Sequence, residues 1–323
     1  MPVLNSARKS EQQARLDLVP VFDGDLRAGS AGAEYRVQDG ARFGLFQTCS
    51  YAGCSSGWLK IWRSRTTPVF ESGWCCSPEC TAAHVAAALR RELETMVHPV
   101  QGHRHRIPLG LAMLEQGWIT KAQLRGALAA QRAAGGGRLG QWLVRREGVS
   151  EQLVTRALGL QWGCPVLPMQ GFDPARMALA VPRLLVEQVG MVPLRVAGKR
   201  TLQLAFASRP DASAAFAMER MSGLKVESGL VDEPQWKAAH GRLCESEFVD
   251  AAFEQVATVE LLPGKIAETL NKMQPRGSRL VRVHELFWLR MWLELDETGA
   301  RKGGVPWTRE ATADRLYAVG TEQ

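Results

Sequence analysis

Residues 108–131 read PLGLAMLEQGWITKAQLRGALAAQ and residues 138–161 read RLGQWLVRREGVSEQLVTRALGLQ. Set over one another at an offset of 30 residues, Leu109 falls on Leu139, Gly110 on Gly140, Met113 on Leu143, Leu114 on Val144 and Ile119 on Val149. Thr120 then falls on Ser150, Leu124 on Val154, Ala127 on Ala157, Leu128 on Leu158 and Gln131 on Gln161. So many matches at a single offset mark an internal repeat. Each unit predicts a short helix, an apolar staple residue (Ile119; Val149), an N-cap hydroxyl (Thr120; Ser150) and a second helix with apolar residues at i and i+4. One such hairpin cannot bury its own apolar face, so the two should pack on each other, with Gly135-Gly136-Gly137 as the turn between them.

The chain around this repeat has 323 residues, enough for two or three modest domains. Its 46% hydrophobic and 23% charged residues are those of a globular protein. The most apolar stretch, Leu280 to Leu295, is interrupted by Arg282, His284, Glu285, Arg290 and Glu294, which predicts no membrane insertion. The N-terminus has no signal-peptide pattern, so the expected location is cytoplasmic. Forty basic against 33 acidic residues leave a net charge of +7, which suggests an anionic ligand or nucleic acid, yet the excess is spread along the chain.

Residues 1–38 are polar and aperiodic and are expected to form a flexible lead. A cysteine-rich module spans 39–96, and the Pro/Gly/basic stretch 97–107, containing HRHR, reads as a linker. After the repeat (108–165), residues 166–245 alternate helical and strand patterns: PRLLVEQVG as helix, MVPLRVAGKRTLQLAFA as two strands around a turn, then helix, strand and helix. Residues 246–295 form an extension with a helical PGKIAETLNKMQ and an apolar SRLVRVHELFWLRMWLEL that favours strand, while 296–323 reads as a loosely ordered tail. The expected fold class is α+β multidomain: a small metal finger, tandem helical hairpins and a small α/β subdomain.

Five of seven cysteines lie within 32 residues. Cys49 and Cys54 form one spaced pair and Cys76 and Cys80 another, which is compatible with a four-thiolate structural Zn²⁺ site. In a cytoplasmic chain such clustering favours metal over disulfides. Cys75 and His84 compete as ligands. A knuckle, a strand pair (WLKIW and PVFESGW) and a second knuckle leading through Ser77-Pro78-Glu79 into a helix resemble treble-clef zinc fingers. Trp58, Trp62 and Trp74 read as the finger's core, with base stacking as the other use of such residues.

The paired motifs, with the sequence that follows to about Glu245, resemble the N-terminal (MshEN-type) domain of type II secretion and type IV pilus assembly ATPases, the GspE N-terminal domain. In some members of that family the tandem motifs bind cyclic di-GMP. The resemblance implies that Leu109, Gly110, Gln131, Arg138, Leu139, Gly140 and Gln161 form the corresponding ligand set, over an apolar surface from Leu139, Leu143 and Leu158. The motifs are unequal: the second keeps Arg138, whereas the first has Pro108 in that place and Arg106 two residues upstream. A guanidinium holds phosphate or guanine with a planar fork, and proline cannot.

The sequence has no G-x-x-x-x-G-K-[ST] loop, so hydrolysis of nucleoside triphosphates is not expected. His98, His103 and His105 sit in the linker without a carboxylate constellation, and lone His240 and His284 read as structural. The resulting expectation is a non-enzymatic binding or regulatory protein with Zn²⁺ as structural cofactor, cyclic di-GMP as candidate ligand and a protein partner, a secretion or pilus platform component being the candidate. The alternative is a zinc-finger regulator that binds nucleic acid through the finger and the HRHR stretch.

Overall fold

The computed structural model describes residues 49–54, 67–71, 73–95, 106–198, 200–294, 304–306 and 308–320. Contacts divide the chain into Met1–Gln38 and Asp39–Gln323, and every described residue belongs to the second unit. The expected lead 1–38, the strand WLKIW, Trp58, Trp62 and linker residues 97–105 lie outside the described residues.

In chain order the elements are β1 (Val69–Phe70), β2 (Gly73–Trp74), α1 (Pro78–Thr95), α2 (Leu109–Glu115), α3 (Lys121–Ala133), α4 (Leu139–Glu147) and α5 (Glu151–Trp162). There follow α6 (Pro174–Ala178), α7 (Arg183–Val189), β3 (Val192–Ala197), β4 (Thr201–Phe206), α8 (Ala212–Ser222), β5 (Lys225–Leu230) and α9 (Glu233–Cys244). The last are β6 (Asp250–Val256), α10 (Leu262–Met273), β7 (Gly277–Val283), β8 (Leu286–Trp292) and β9 (Thr312–Val319). The fold is mixed, α+β. No helix among the described residues is long and apolar enough to cross a membrane.

The repeat folds as its capping chemistry dictates. Thr120 Oγ1 accepts from the Gln123 amide while Gln123 Oε1 accepts from the Thr120 amide, a reciprocal box that starts α3. Ser150 Oγ accepts from Leu153 at the start of α5, and Gly148 and Gly163, with φ of 67° and 63°, end α4 and α5. Met113, Ile119, Ala127, Leu143, Val149, Val154 and Ala157 form a core of their own between the hairpins.

Strands β3, β4 and β5 make a three-stranded sheet, antiparallel between β3 and β4 and parallel between β4 and β5. A second sheet has the order β6-β9-β8-β7. Its strand β8, LFWLRMW, is buried on both faces, which explains a run in which Arg290 is the one charged residue. Phe287, Leu289 and Met291 join Tyr317, Ile266 and Leu270 of α10 and Phe70, Val85 and Leu89 of the cysteine module. Trp288, Val281, Val283 and Leu316 face the other way, into the core of the three-stranded unit.

Residues 312–319, expected within a loosely ordered tail, instead form the interior strand β9. The expectation fails because Asp314 and Arg315 break the run's apolar pattern. Asp314 is fully buried only because Arg290 stands opposite it on β8.

Among the described residues, the cysteine module shares its core with α10 and the four-stranded sheet. Helix α1 packs on α10 and on β7. The Val69 amide donates to Pro275 O, the Glu71 amide to Ser278 O and Ser278 Oγ to Val69 O, so the β1 segment covers part of the outer edge of β7. Glu92 of α1, buried, accepts from Arg220 of α8 at 2.6 Å and from the Arg282 amide of β7 at 3.1 Å. Burial raises the Glu92 carboxyl above its ordinary value, and the Arg220 guanidinium opposes that rise.

Candidate functional site

Cys49, Cys54, Cys76 and Cys80 come together with their sulfurs all within 4.8 Å of one another. The Cys54 and Cys76 sulfurs are 3.5 Å apart and those of Cys76 and Cys80 3.7 Å apart. Four sulfurs about 2.3 Å from one tetrahedral ion stand about 3.8 Å from each other, whereas a disulfide needs about 2.05 Å. The donor set and its spacing therefore fit a tetrahedral cation, and no disulfide joins any of the seven cysteines.

Local structure puts the thiols there. Ser77 Oγ accepts from the Cys80 amide and so caps the start of α1 behind Pro78, turning Cys80 back toward the pair. The Ser50 amide donates to Trp74 O, bringing the first knuckle against β2, and a Cβ on Gly73 would come within 1.8 Å of Ser50 Oγ. Cys75, one of the two competing ligands, is buried with its sulfur 3.5 Å from Nδ1 of His84, the other. Burial pushes the Cys75 and Cys80 thiols up to about 12 each, with neighbouring thiols adding to the rise. Burial also raises Cys49, while the Cys76 and Tyr51 backbone N–H groups oppose it. Left without a cation, such a cluster holds its protons.

In the tandem hairpins the two motifs exchange supports. Gln131 Nε2, near the end of the first hairpin, donates at 2.6 Å to the carbonyl of Gly137, just before Arg138. Gln161 Nε2, near the end of the second, donates at 2.8 Å to the carbonyl of Ile107, just before Pro108. Helix α3 packs on α4, and α2 on α5. Gly110 lies under Leu124 of its own hairpin and Leu139 of the other, and Gly140 under Val154 of its own and Leu109 of the other. The pair thus has a local two-fold relationship.

This geometry places the seven residues of the expected ligand set differently from one another. Gly110 and Gly140 are buried at helix contacts rather than open to a ligand, Leu109 and Leu139 are half-buried over them, and both glutamines are engaged with backbone. Leu143, read as apolar floor, is fully buried in the hairpin core, whereas Leu158 is half-buried. Arg138 is exposed at the N-cap of α4, and its guanidinium has no hydrogen-bond or ion-pair partner among the described residues. Its charge is felt at Glu233, whose carboxyl is held below its ordinary value first by Lys237, with Gln141 and Arg138 adding. Arg106 does not reach across Pro108; its guanidinium stacks 3.7 Å over the ring of Trp162. That contact was hidden in the sequence because Trp162 lies 56 residues further on, and no spacing rule joins the two.

No family model and no curated protein matches the chain. Among solved structures, MshE with cdg is 26% identical, covering 43% of this chain and 99% of that one with a TM-score of 0.35. Two crystal forms of the N-terminal domain of XpsE are each 19% identical, covering 42% and 41% of this chain and 92% and 90% of theirs, with TM-scores of 0.27 and 0.24.

Proposed function

We propose that this chain is a non-enzymatic regulatory protein whose tandem hairpins take cyclic di-GMP and whose remaining surface docks a protein partner, a component of a secretion or pilus platform. One observation carries the reading: each motif's glutamine supports the backbone just before the other motif, and the Arg138 guanidinium stands exposed at the start of the second with no partner among the described residues. The resemblance of the motifs to a domain family with nucleotide-binding members supplies the ligand class. Arg138 would bind phosphate or a guanine edge as a charged planar fork, while Gln131 and Gln161 brace the backbone ahead of α4 and α2 rather than contact the ligand. Gly110 and Gly140 serve by letting the helices close, and Leu109 and Leu139 offer the half-buried apolar rim.

The four cysteines would hold one Zn²⁺. Four thiolates fill a tetrahedral sphere and leave no open position, so the ion's contribution is to close the fold rather than to activate water. It would pin the start of α1, whose other end carries Glu92 into contact with α8 and β7.

Calorimetric titration with cyclic di-GMP tests the ligand. Wild type should bind. Arg138→Ala should lose about 1.5–3 kcal/mol, roughly 10- to 150-fold in affinity, and Pro108→Arg should bind more tightly. Equal binding by wild type and Arg138→Ala, or none by wild type at high micromolar ligand, would make the hairpins a packing scaffold.

A further inference from the structure

Trp162 carries two arginines. Arg106, in the segment leading into α2, stands 3.7 Å from its ring centroid, and Arg209, in the loop between β4 and α8, stands 5.3 Å from the same centroid. The two distances together keep the guanidinium carbons within about 9 Å of each other. Both arginines are exposed, and neither has a carboxylate or hydrogen-bond partner among the described residues. Two like charges gathered on one indole repel, and the ring quadrupole attracts each of them. The indole Nε1 is covered and also lacks an acceptor among the described residues.

The place matters as much as the charge. Trp162 follows Gln161, whose amide holds the carbonyl of Ile107, so the two arginines flank the start of the first motif, the one that has Pro108 in place of arginine. Ile107 and Leu160, the sequence neighbours of Arg106 and Gln161, are exposed apolar side chains. An anion with a planar apolar part would find guanidinium, indole and aliphatic surface together.

We propose that Arg106 and Arg209, held on Trp162, form an anion clamp that takes a phosphodiester group of the nucleotide at the first motif, in place of the arginine missing at position 108. The clamp rests on the ligand reading above and extends it. Because Arg209 belongs to the α/β subdomain, ligand binding joins the loop after β4 to the tandem hairpins.

Calorimetry on the full chain, with cyclic di-GMP and inorganic pyrophosphate as separate probes, decides the matter. Arg106→Gln and Arg209→Gln change exposed side chains and should keep the wild-type melting temperature. Each should weaken cyclic di-GMP binding about tenfold or more and flatten its salt dependence. If Arg138→Ala weakens binding and neither glutamine variant does, the clamp is wrong and the ligand reading stands. If wild type binds only pyrophosphate, and does so through Arg106 and Arg209, the two arginines hold an inorganic anion, and both the clamp on the nucleotide and the ligand reading are overturned. Binding of neither probe overturns both.

Discussion

Arg290 and Asp314 face each other across β8 and β9 as a buried two-pronged ion pair, Nε to Oδ1 at 2.9 Å and Nη2 to Oδ2 at 2.7 Å. Arg290 Nη1 donates onward to Ala180 O, and Trp288 Nε1 donates to Asp314 Oδ1. With side-chain exposures of 2% and 0%, neither charge is shared with solvent, and the pair fastens the four-stranded sheet to the segment after α6.

Breaking this pair from one side should be costly. Asp314→Leu leaves a guanidinium buried without its counter-ion, a change worth about 3–5 kcal/mol. The double variant Arg290→Met/Asp314→Leu should recover part of that loss, because two apolar groups fill the space without an unpaired charge. Urea unfolding of both variants measures the difference, and a double variant less stable than the single would contradict the account.

Zinc content should be one ion per chain, unchanged in Cys75→Ser and lost in Cys76→Ser/Cys80→Ser. Since the thiols of Cys49 and Cys80 are raised in the cation-free protein, metal binding must release protons, and affinity should climb as pH rises from about 6 to about 8. Competition with a chromophoric chelator at the two pH values gives the slope. A pH-independent affinity would argue against thiolate ligation.

The two repeat glycines should respond unequally to alanine. A Cβ at Gly110 would meet Leu124 Cδ1 at 2.6 Å, the mobile end of a leucine, whereas at Gly140 it would meet Val154 Cγ1 at 2.7 Å on a β-branched side chain. Alanine gains up to about 1 kcal/mol of helix propensity, and overpacking costs about 1–3 kcal/mol. Gly110→Ala should therefore be near neutral and Gly140→Ala destabilising. Thermal melts without ligand would show it.

Glu92 should make stability fall as pH rises. Its carboxyl is raised in the folded protein, so between its ordinary unfolded value and the raised folded one the folded state holds more protons. Through that window the protein loses stability that Glu92→Gln does not. Any advantage of wild type over Glu92→Gln should thus shrink, or change sign, from about pH 5 to about pH 7 in paired denaturation curves.

The tandem hairpins were legible because their signals are local. Thr120 lies three residues from the amide it caps, and Ser150 likewise, so the chemistry that starts α3 and α5 is written within a single turn. The cysteine quartet was legible as spacing, since thiols that close on one ion must come from short knuckles. Which neighbour turned inward was not, because Cys75 is turned by burial against His84.

The rest depended on partners far away in sequence. TADRLYAV by itself determines only a chain with an awkward acid and base in its middle; Arg290 makes the acid tolerable inside a sheet, and β9 exists as an interior strand for that reason. Gly140 by itself permits either ligand approach or helix contact, and Val154 and Leu109 decide for contact. Arg106 by itself is one more basic residue before a helix, until the fold sets it on Trp162 beside Arg209. Residue type and spacing determined the pieces and their capping, while buried charge, close helix approach and ring stacking were decided only where the folded chain brought the partners together.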